Sequence, residues 1–445
     1  MSKIVIVGAN HAGIAAANTI LDNYPENEVV ILDRNSNMSY LGCGTALWVG
    51  RQIEGYEGLF YTKKEDFEAK GAIILMETVV DRIDFDKKVV FGTKKDGSAV
   101  EQSYDKLILA TGSIPLNPPI PGRDLKHIQN VKVFQEGALL DETLNDAALE
   151  NVAVIGAGYI GVEIAEAAKR RGKTVRLFDA LDSCLGEYYD RSFTDRMAEN
   201  MKNHGIELHF SEKVQEFKGT DQVSSIVTDK GEYAADVVVM SVGFRPNNQL
   251  GKETLDLTKN GAYRVNLKQE TSLKDVYAVG DCASIYSNAT QSETYIALAT
   301  NAVRSGIVAG HNVCGTPLES IGVQGSSGIS IFGYNMVSTG LTVRAAERLG
   351  MDVSYTEYED MQKPEFIKEG NEKVNIRIVY ETTSRRVIGA QIASFDASIA
   401  MGIHMFSLAV EEKVTIDKLK LLDIFFLPHF NKPYNYITMA ALSAK

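Results

Sequence analysis

The sequence predicts an α/β protein in which two similar doubly wound units are followed by an α+β domain. Three observations predict it. A pattern of β-branched strand, glycine loop, helix, strand and acid occurs twice. Each copy is completed further on by the same strand and turn. Beyond Gly325 the texture changes to alternating strands and helical patterns with no glycine loop.

The first copy opens on Lys3-Ile-Val-Ile-Val-Gly8, a short apolar run entering a glycine turn. Gly8-Ala-Asn-His-Ala-Gly13 follows, then the helix-compatible stretch Ile14 to Leu21. The next apolar run, Val29 to Leu32, ends in Asp33, 20 residues past Gly13. An acid at about that spacing belongs to the fingerprint of a Rossmann-like dinucleotide-binding domain. One element departs from it: Asn10 stands at the middle glycine position. The second copy, Gly156-Ala-Gly158-Tyr-Ile-Gly161, is complete. It leads into the helical pattern Val162 to Arg171, with Gly172 as a C-cap, and then into Thr174 to Phe178 and Asp179. The glycines permit a tight turn, close backbone approach and helix packing. The pyrophosphate rests on the helix N-terminus, and the acid accepts from ribose hydroxyls.

Each copy has a later partner. Asp105-Lys-Leu-Ile-Leu-Ala-Thr-Gly112-Ser-Ile-Pro115 matches Asp236-Val-Val-Val-Met-Ser-Val-Gly243-Phe-Arg-Pro246. In both, glycine follows aspartate by seven residues and proline follows glycine by three. One chain with two dinucleotide sites points to electron transfer between two bound cofactors. Two structural units holding one nucleotide or none is the alternative, and both acids standing at the ribose position argue against it.

At 445 residues the chain exceeds one ordinary core. Hydrophobic residues at 44% and charged residues at 23% describe a soluble globular protein. The net charge of -12 is dispersed, so there is no basic footprint for nucleic acid. Four cysteines (43, 184, 282 and 314) are too few for a disulfide scaffold and lack zinc-ligand spacing, which predicts no metal site. They fit a reducing, cytoplasmic compartment. The apolar run Ile4 to Val7 is too short for a signal peptide. No stretch approaches the roughly 18 apolar residues of a membrane span.

Cys43 stands alone in Ser39-Tyr40-Leu41-Gly42-Cys43-Gly44, ten residues after Asp33. Free cysteine is among the most buried residue types, so a small core residue is one reading and a single-sulfur redox group the other. The helix-compatible Ala46 to Val49 follows, and a helix N-terminus there would lower the thiol pKa.

A further strand-to-turn signal, Asp275-Val-Tyr-Ala-Val-Gly280-Asp281-Cys-Ala, lies beyond the second unit. With the N-terminal fingerprint and the Ala110-Thr-Gly112 strand end, it makes the chain resemble the flavoprotein pyridine nucleotide–disulfide oxidoreductase superfamily. The resemblance implies that the first unit holds FAD and that the second, inserted into it, holds the nicotinamide. It implies an FAD-binding domain of residues 1–117 and 247–325, an NAD(H)-binding domain of 118–246 and a dimerisation domain of 326–445. The implied FAD contacts are Gly8, Asn10, His11, Ala12, Gly13 and Asp33 in the first loop and its acid, with Cys43 and Val80 beyond. Ala110, Thr111, Gly112, Ser113, Lys132, Tyr159, Asp281, Ala297, Ala299 and Phe425 complete them. The implied NAD contacts are Gly156, Gly158, Ile160, Gly161, Glu163, Asp179, Tyr188, Gly243 and Gly328. By the same resemblance Asp281 bonds the ribityl chain, Tyr159 covers the flavin until nicotinamide arrives, and Glu163 lies near flavin N5. Alone, Asp281 also reads as a turn former and Glu163 as a first-turn helix acid.

The resemblance spans essentially the whole chain and narrows to the branch with one redox cysteine: NADH oxidases, NADH peroxidases and coenzyme A disulfide reductases. Ser39 to Gly44, Gly156 to Glu163, Gln324 to Gly328 and Phe426 to Phe430 look like the water-forming oxidases, and His11 matches the branch's active-site histidine. Dithiol members carry a second cysteine; the position five beyond Cys43 is Trp48. Asp179 favours NADH over NADPH, because its carboxylate accepts from a 2′-OH and repels a 2′-phosphate.

The implied chemistry is a four-electron reduction of dioxygen to water. NADH reduces FAD, and electrons pass to dioxygen through a flavin (hydro)peroxide. The Cys43 thiolate cleaves the O–O bond and becomes a sulfenic acid, which a second NADH returns to thiolate. His11 is implied as acid/base or sulfur partner; a histidine in a glycine loop also fits a structural or phosphate contact. An NADH peroxidase shares the cysteine. A coenzyme A disulfide reductase fits less well, because its cysteine segment lacks Gly-Cys-Gly. A flavin-linked redox sensor is the non-enzymatic alternative.

In the C-terminal third, Val374 to Tyr380 and Arg386 to Ala393 read as strands joined by the hairpin Glu381 to Arg385. Helical patterns follow at Met401 to Val410 and Ile416 to Leu422. The aromatic-rich Phe425 to Tyr436 suits core or interface. The resemblance implies a homodimer or a dimer of dimers in which this segment reaches the partner's active site. His429 is then either a satisfied structural histidine or a group near the partner's flavin. Cys184, Cys282 and Cys314 read as structural, with Cys282 the one closest to the implied flavin.

Overall fold

The computed structural model describes residues 1–445. The apolar run Lys3–Val7 is the middle strand of a five-stranded parallel sheet. The order is Val276–Ala278, Lys106–Leu109, Lys3–Val7, Glu28–Leu32, Ile73–Leu75. Parallel strands covered on both faces need continuous apolar runs. Ile4, Val5 and Ile6 and the whole of Val29 to Leu32 are accordingly buried. The helices His11–Asn23 and Ala299–Val313 pack closely because small residues face each other. A Cβ on Gly306 would lie 2.3 Å from the Ala12 carbonyl oxygen.

The second unit repeats the plan: Ile206–Phe210, Thr174–Asp179, Asn151–Ile155, Val237–Met240, Ile128–Asn130, all parallel. Each unit also carries a three-stranded antiparallel sheet, beginning at Thr78–Asp84 in the first and Val214–Gly219 in the second. The first sheet is finished by Val276–Ala278, which follows the whole second sheet in the chain, so the second unit is an insertion. The two crossings pair with each other: Ser113–Pro115 runs antiparallel to Phe244–Pro246, with Ser113 opposite Pro246 and Pro115 opposite Phe244. The repeated glycine-to-proline turn therefore forms one ribbon joining the units. Gly112 (φ +69°) and Gly243 (φ +106°) turn the chain into it in conformations that favour glycine. Two strands are all edge, which is where proline is tolerated.

The C-terminal domain is a five-stranded antiparallel sheet ordered Ser327–Ile331, Tyr334–Gly340, Val387–Ser394, Lys373–Glu381, Val353–Met361. The expected hairpin closes with the Glu381 N–H donating to the Arg386 carbonyl at 3.0 Å. The helical pattern from Met401 is split into a 3-10 turn, Ala397–Gly402, and a helix, Ile403–Glu411. The pattern from Ile416 is helical only over Ile416–Leu419. Asp190, 5% exposed, ties the second unit to this domain. It pairs with Arg377 Nη1 at 3.1 Å and accepts from Gln391 Nε2 at 2.7 Å. A buried carboxylate needs this many partners to offset its lost hydration. No helix is long and apolar enough to cross a membrane.

Candidate active site

Both glycine loops open onto one cleft of about 1510 Å³. That exceeds the roughly 300–1,000 Å³ of an ordinary small-molecule pocket and leaves room for two dinucleotides. In the first loop Gly8 has φ +116°, and a Cβ there would lie 2.1 Å from the Ala110 carbonyl oxygen. In the second, Gly156 has φ +102°, and its Cβ would lie 2.4 Å from the Ser241 carbonyl oxygen. Cβ atoms on Gly13 and Gly161 would fall 1.9 and 1.8 Å from the Gly8 and Gly156 carbonyl oxygens. These last two glycines pack helix onto strand behind the cleft and do not line it.

The middle position explains Asn10. A Cβ on Gly158 meets nothing within 4 Å. The equivalent place in the first loop therefore tolerates a side chain, and Asn10 Nδ2 donates to the Tyr40 carbonyl at 3.1 Å. The substitution fastens the loop to the segment that carries Cys43.

The two acids are held alike. Asp33 Oδ2 accepts from Ala9 N–H at 2.6 Å, and Asp179 Oδ2 accepts from Ala157 N–H at 2.6 Å. The other oxygens accept from the N–H two residues on, at Asn35 (2.7 Å) and Leu181 (2.8 Å). Each carboxylate retains lone pairs for a ribose. The helices His11–Asn23 and Tyr159–Arg170 have no side-chain N-cap and no acid in the first turn. Their first N–H groups and positive dipole ends are left to a ligand, which suits a pyrophosphate at each. Both halves thus fit a dinucleotide.

Cys43 occupies a 3-10 turn, Gly42–Gly44, before the short helix Thr45–Val49, and its side chain opens on the cleft. The helix was expected to lower the thiol pKa; the structure reverses that. Burial pushes the Cys43 thiol up, the Glu163 carboxylate adds to the rise, and Lys132 opposes them. A helix of five residues carries too small a dipole to offset burial, to which the Glu163 and, less, the Asp281 carboxylates add. Glu163 is itself pushed up to about 7 by burial and by Glu166. Burial lowers both Lys132 and His11. Lys132 Nζ donates to Ser113 Oγ at 2.7 Å, and Ser113 Oγ donates to Asp281 Oδ2 at 2.9 Å. Tyr159 sits edge-on to Tyr188, ring centroids 4.6 Å apart. Its hydroxyl reaches Tyr189 at 2.8 Å and donates to Ser327 at 2.9 Å, joining the second unit to the C-terminal sheet.

The structure brings nearly all the expected residues to this cleft. Gly8, Asn10, His11, Ala12, Asp33, Cys43, Val80, Ala110 to Ser113, Lys132, Tyr159, Asp281, Ala297 and Ala299 line it. So do Gly156, Gly158, Ile160, Glu163, Asp179, Tyr188, Gly243 and Gly328. Phe425 does not. It lies 66% exposed on the C-terminal domain against Phe430. His429 is exposed in the same segment, its ring 6.5 Å from that of Phe430, and it makes no hydrogen bond within its own chain. Cys282 is fully buried with Sγ against the Val279 carbonyl at 3.2 Å and does not reach the cleft. Trp48 is buried against Phe134, ring centroids 5.8 Å apart. Sequence reasoning missed Tyr61, whose hydroxyl lies 3.0 Å from His11 Nδ1, and Ser327 beneath Tyr159. Tyr61 carries no motif; Ser327 lies within the Gln324 to Gly328 segment, where only Gly328 was expected to contact a cofactor.

Two dinucleotide cradles, one thiol and a flanking set of ionisable groups in one cleft define a redox flavoprotein that uses a nicotinamide cofactor. The chain belongs to the pyridine nucleotide-disulphide oxidoreductase family, whose model matches residues 2–306, with the family's dimerisation domain over residues 327–435. It is 60% identical over 445 residues to an NADH oxidase of Lactococcus lactis subsp. cremoris, covering 100% of both chains. It is 58% identical to an NADH oxidase of Streptococcus pyogenes serotype M6, again covering 100% of both. Its fold is similar to a solved water-forming NADH oxidase from Lactobacillus brevis bound to NADH. That match has a TM-score of 0.96 at 35% identity and covers 100% of this chain and 98% of the other.

Proposed function

We propose that this protein is a homodimeric, FAD-dependent NADH oxidase that reduces dioxygen by four electrons to water. The observation that carries the reading is that Cys43 is the sole thiol lining a cleft built for two dinucleotides. The relatives' names support the same activity. The proposed division is 1–117 with 247–325 for FAD, 118–246 for NAD(H) and 326–445 for dimerisation, and it follows the insertion in the sheet topology. Phe425 and His429 are then placed to meet the partner subunit.

FAD, when bound, supplies a carrier that takes a hydride from NADH and gives electrons singly or in pairs to oxygen. The loop from Gly8 to Ala12 and the start of the His11–Asn23 helix hold its pyrophosphate, with Gly13 packing the helix behind them, and Asp33 holds its ribose. Asp281, braced by Ser113 and Lys132, holds the ribityl chain. The second loop and Asp179 do the same for NADH, with Tyr159 and Tyr188 as the gate for nicotinamide. Glu163, whose carboxyl is pushed up to about 7 by burial, can hold or release a proton at its carboxyl oxygen near neutrality. The Cys43 thiolate attacks peroxide: an S–O bond forms, the O–O bond breaks, and the departing oxygen leaves as hydroxide and becomes water. Two electrons from a second NADH release the sulfenic oxygen as water and restore the thiolate.

The test is the stoichiometry of NADH to oxygen, with and without catalase, for the parent and Cys43→Ser. The parent should consume about two NADH per oxygen with no effect of catalase. The variant should approach about one, with catalase returning oxygen from released peroxide. A Cys43→Ser enzyme that still makes water without releasing peroxide would show the sulfenic mechanism to be wrong. Turnover with added peroxide but none with oxygen would make the protein a peroxidase.

A further inference from the structure

Tyr61 lies outside the cleft, and His11 lines it. The His11 Nδ1 to Tyr61 hydroxyl distance is 3.0 Å, and the two rings are parallel to within 4°, with centroids 5.7 Å apart. This is the imidazole's one hydrogen bond to the protein, so Nε2 is left for whatever the cleft holds. His11 is the first residue of its helix, where the positive dipole end disfavours imidazolium. A neutral imidazole has one donor nitrogen and one acceptor nitrogen, and its partner decides which is which. A phenol is the more acidic donor and the bare imidazole nitrogen the better acceptor. The stronger arrangement therefore has the Tyr61 O–H donating to Nδ1.

Tyr61 is itself tied to the cysteine segment. Tyr40 and Phe60 form an antiparallel bridge, and the Leu41 N–H donates to the Leu59 carbonyl at 2.8 Å. Ser39 Oγ donates to the Thr62 carbonyl at 2.6 Å and accepts from the Thr62 N–H at 3.1 Å. These bonds hold Ser39 at φ +62°, a conformation that side-chain-bearing residues rarely adopt. Residues 59–62 thus form a staple that locks Ser39 to Leu41, just ahead of Cys43, and carries Tyr61 to His11.

We propose that Tyr61 is a positioning residue: its hydroxyl donates to His11 Nδ1, fixing the tautomer with the proton on Nε2, the nitrogen left for the cleft that His11 and Cys43 both line. The proposal rests on the sulfenic-acid reading above. In that step the Cys43 sulfur bonds to one peroxide oxygen, which keeps its proton as S–OH. The other oxygen leaves as hydroxide, is stabilised by the His11 Nε2–H, and takes a proton from water. A residue without contact to peroxide thereby decides whether the departing oxygen meets a donor or a lone pair.

Tyr61→Phe keeps the ring and removes the hydroxyl. In the FAD-loaded enzyme, 15N-histidine NMR should report His11 protonated on Nε2 in the parent and a mixture of tautomers in the variant. The rate at which added peroxide oxidises Cys43 should fall roughly tenfold, the loss expected for one hydrogen bond to a developing charge. Flavin reduction by NADH in the same samples is the internal control. A parent His11 protonated on Nδ1, or a variant with the parent's tautomer and oxidation rate, overturns the proposal. A changed tautomer with an unchanged oxidation rate overturns its catalytic half. If peroxide does not oxidise Cys43 in the parent, the sulfenic-acid reading fails instead, and the NMR spectra still decide the role of Tyr61.

Discussion

Replacing Glu163 with glutamine should make the pH dependence of stability shallower and the nearby thiol more reactive. Burial, aided by Glu166, moves the Glu163 carboxyl from 4.5 to about 7. A carboxyl with a raised pKa keeps its proton in the folded protein at pH values where the unfolded chain has lost it. Its contribution is complete below 4.5 and is lost as pH rises through about 7. At about 1.4 kcal/mol per tenfold change in proton affinity, the folded state above pH 7 carries a cost of about 3 kcal/mol that glutamine does not. Taking about 2.1 cal/mol/K of unfolding entropy per residue, that energy corresponds to a Tm difference of about 3 °C for a chain of this length. Calorimetry of the flavin-free proteins should find Glu163→Gln more stable than the parent by about that amount near pH 8, with the gap closing toward pH 4.5. The same variant should be alkylated faster at Cys43 near pH 8, because the Glu163 charge contributes to the raised thiol pKa. A Tm difference that is the same at both ends of the pH range would refute the assignment of a buried, proton-holding carboxyl.

The two packing glycines offer a separation of the nucleotide sites. Gly13→Ala places a methyl 1.9 Å from the Gly8 carbonyl oxygen and should yield protein without bound flavin, read from its absorbance. Gly161→Ala, 1.8 Å from the Gly156 carbonyl oxygen, should keep flavin but raise KM for NADH roughly tenfold through overpacking. Asp179→Ala removes both the expected ribose acceptor and the bond to Ala157 N–H. Steady-state kinetics should show kcat/KM for NADH falling roughly tenfold or more, and a smaller change with NADPH.

Much of the architecture was legible in the chain. The spacing of Gly8, Gly13 and Asp33, and of Gly156, Gly161 and Asp179, is a local steric code: each glycine is required by a carbonyl oxygen at about 2 Å from its missing Cβ. Asn10 read as a departure and proved compatible, because that position faces open space. The matched turns at Gly112 to Pro115 and Gly243 to Pro246 were legible as a repeat. That they pair with each other was not, since strand partners far apart in the chain leave no local mark. The direction of the Cys43 shift was misread for the same kind of reason. The helix after it is visible in sequence, whereas Glu163 and Asp281 lie 120 and 238 residues away. Phe425 read as a flavin contact but stays on the surface of its own chain.

By itself the sequence determined two nucleotide-binding units, their order, the acids that close them and a single thiol without a resolving partner. Backbone turns and short-range sterics suffice for these, and both are written in residue spacing. Only the tertiary structure decided that the two crossing strands pair with each other, that Cys43 faces carboxylates as well as a lysine, and that Tyr61 bonds His11. Electrostatic fields and hydrogen bonds act through space, so the groups that tune the thiol and the histidine become neighbours only when the chain has folded.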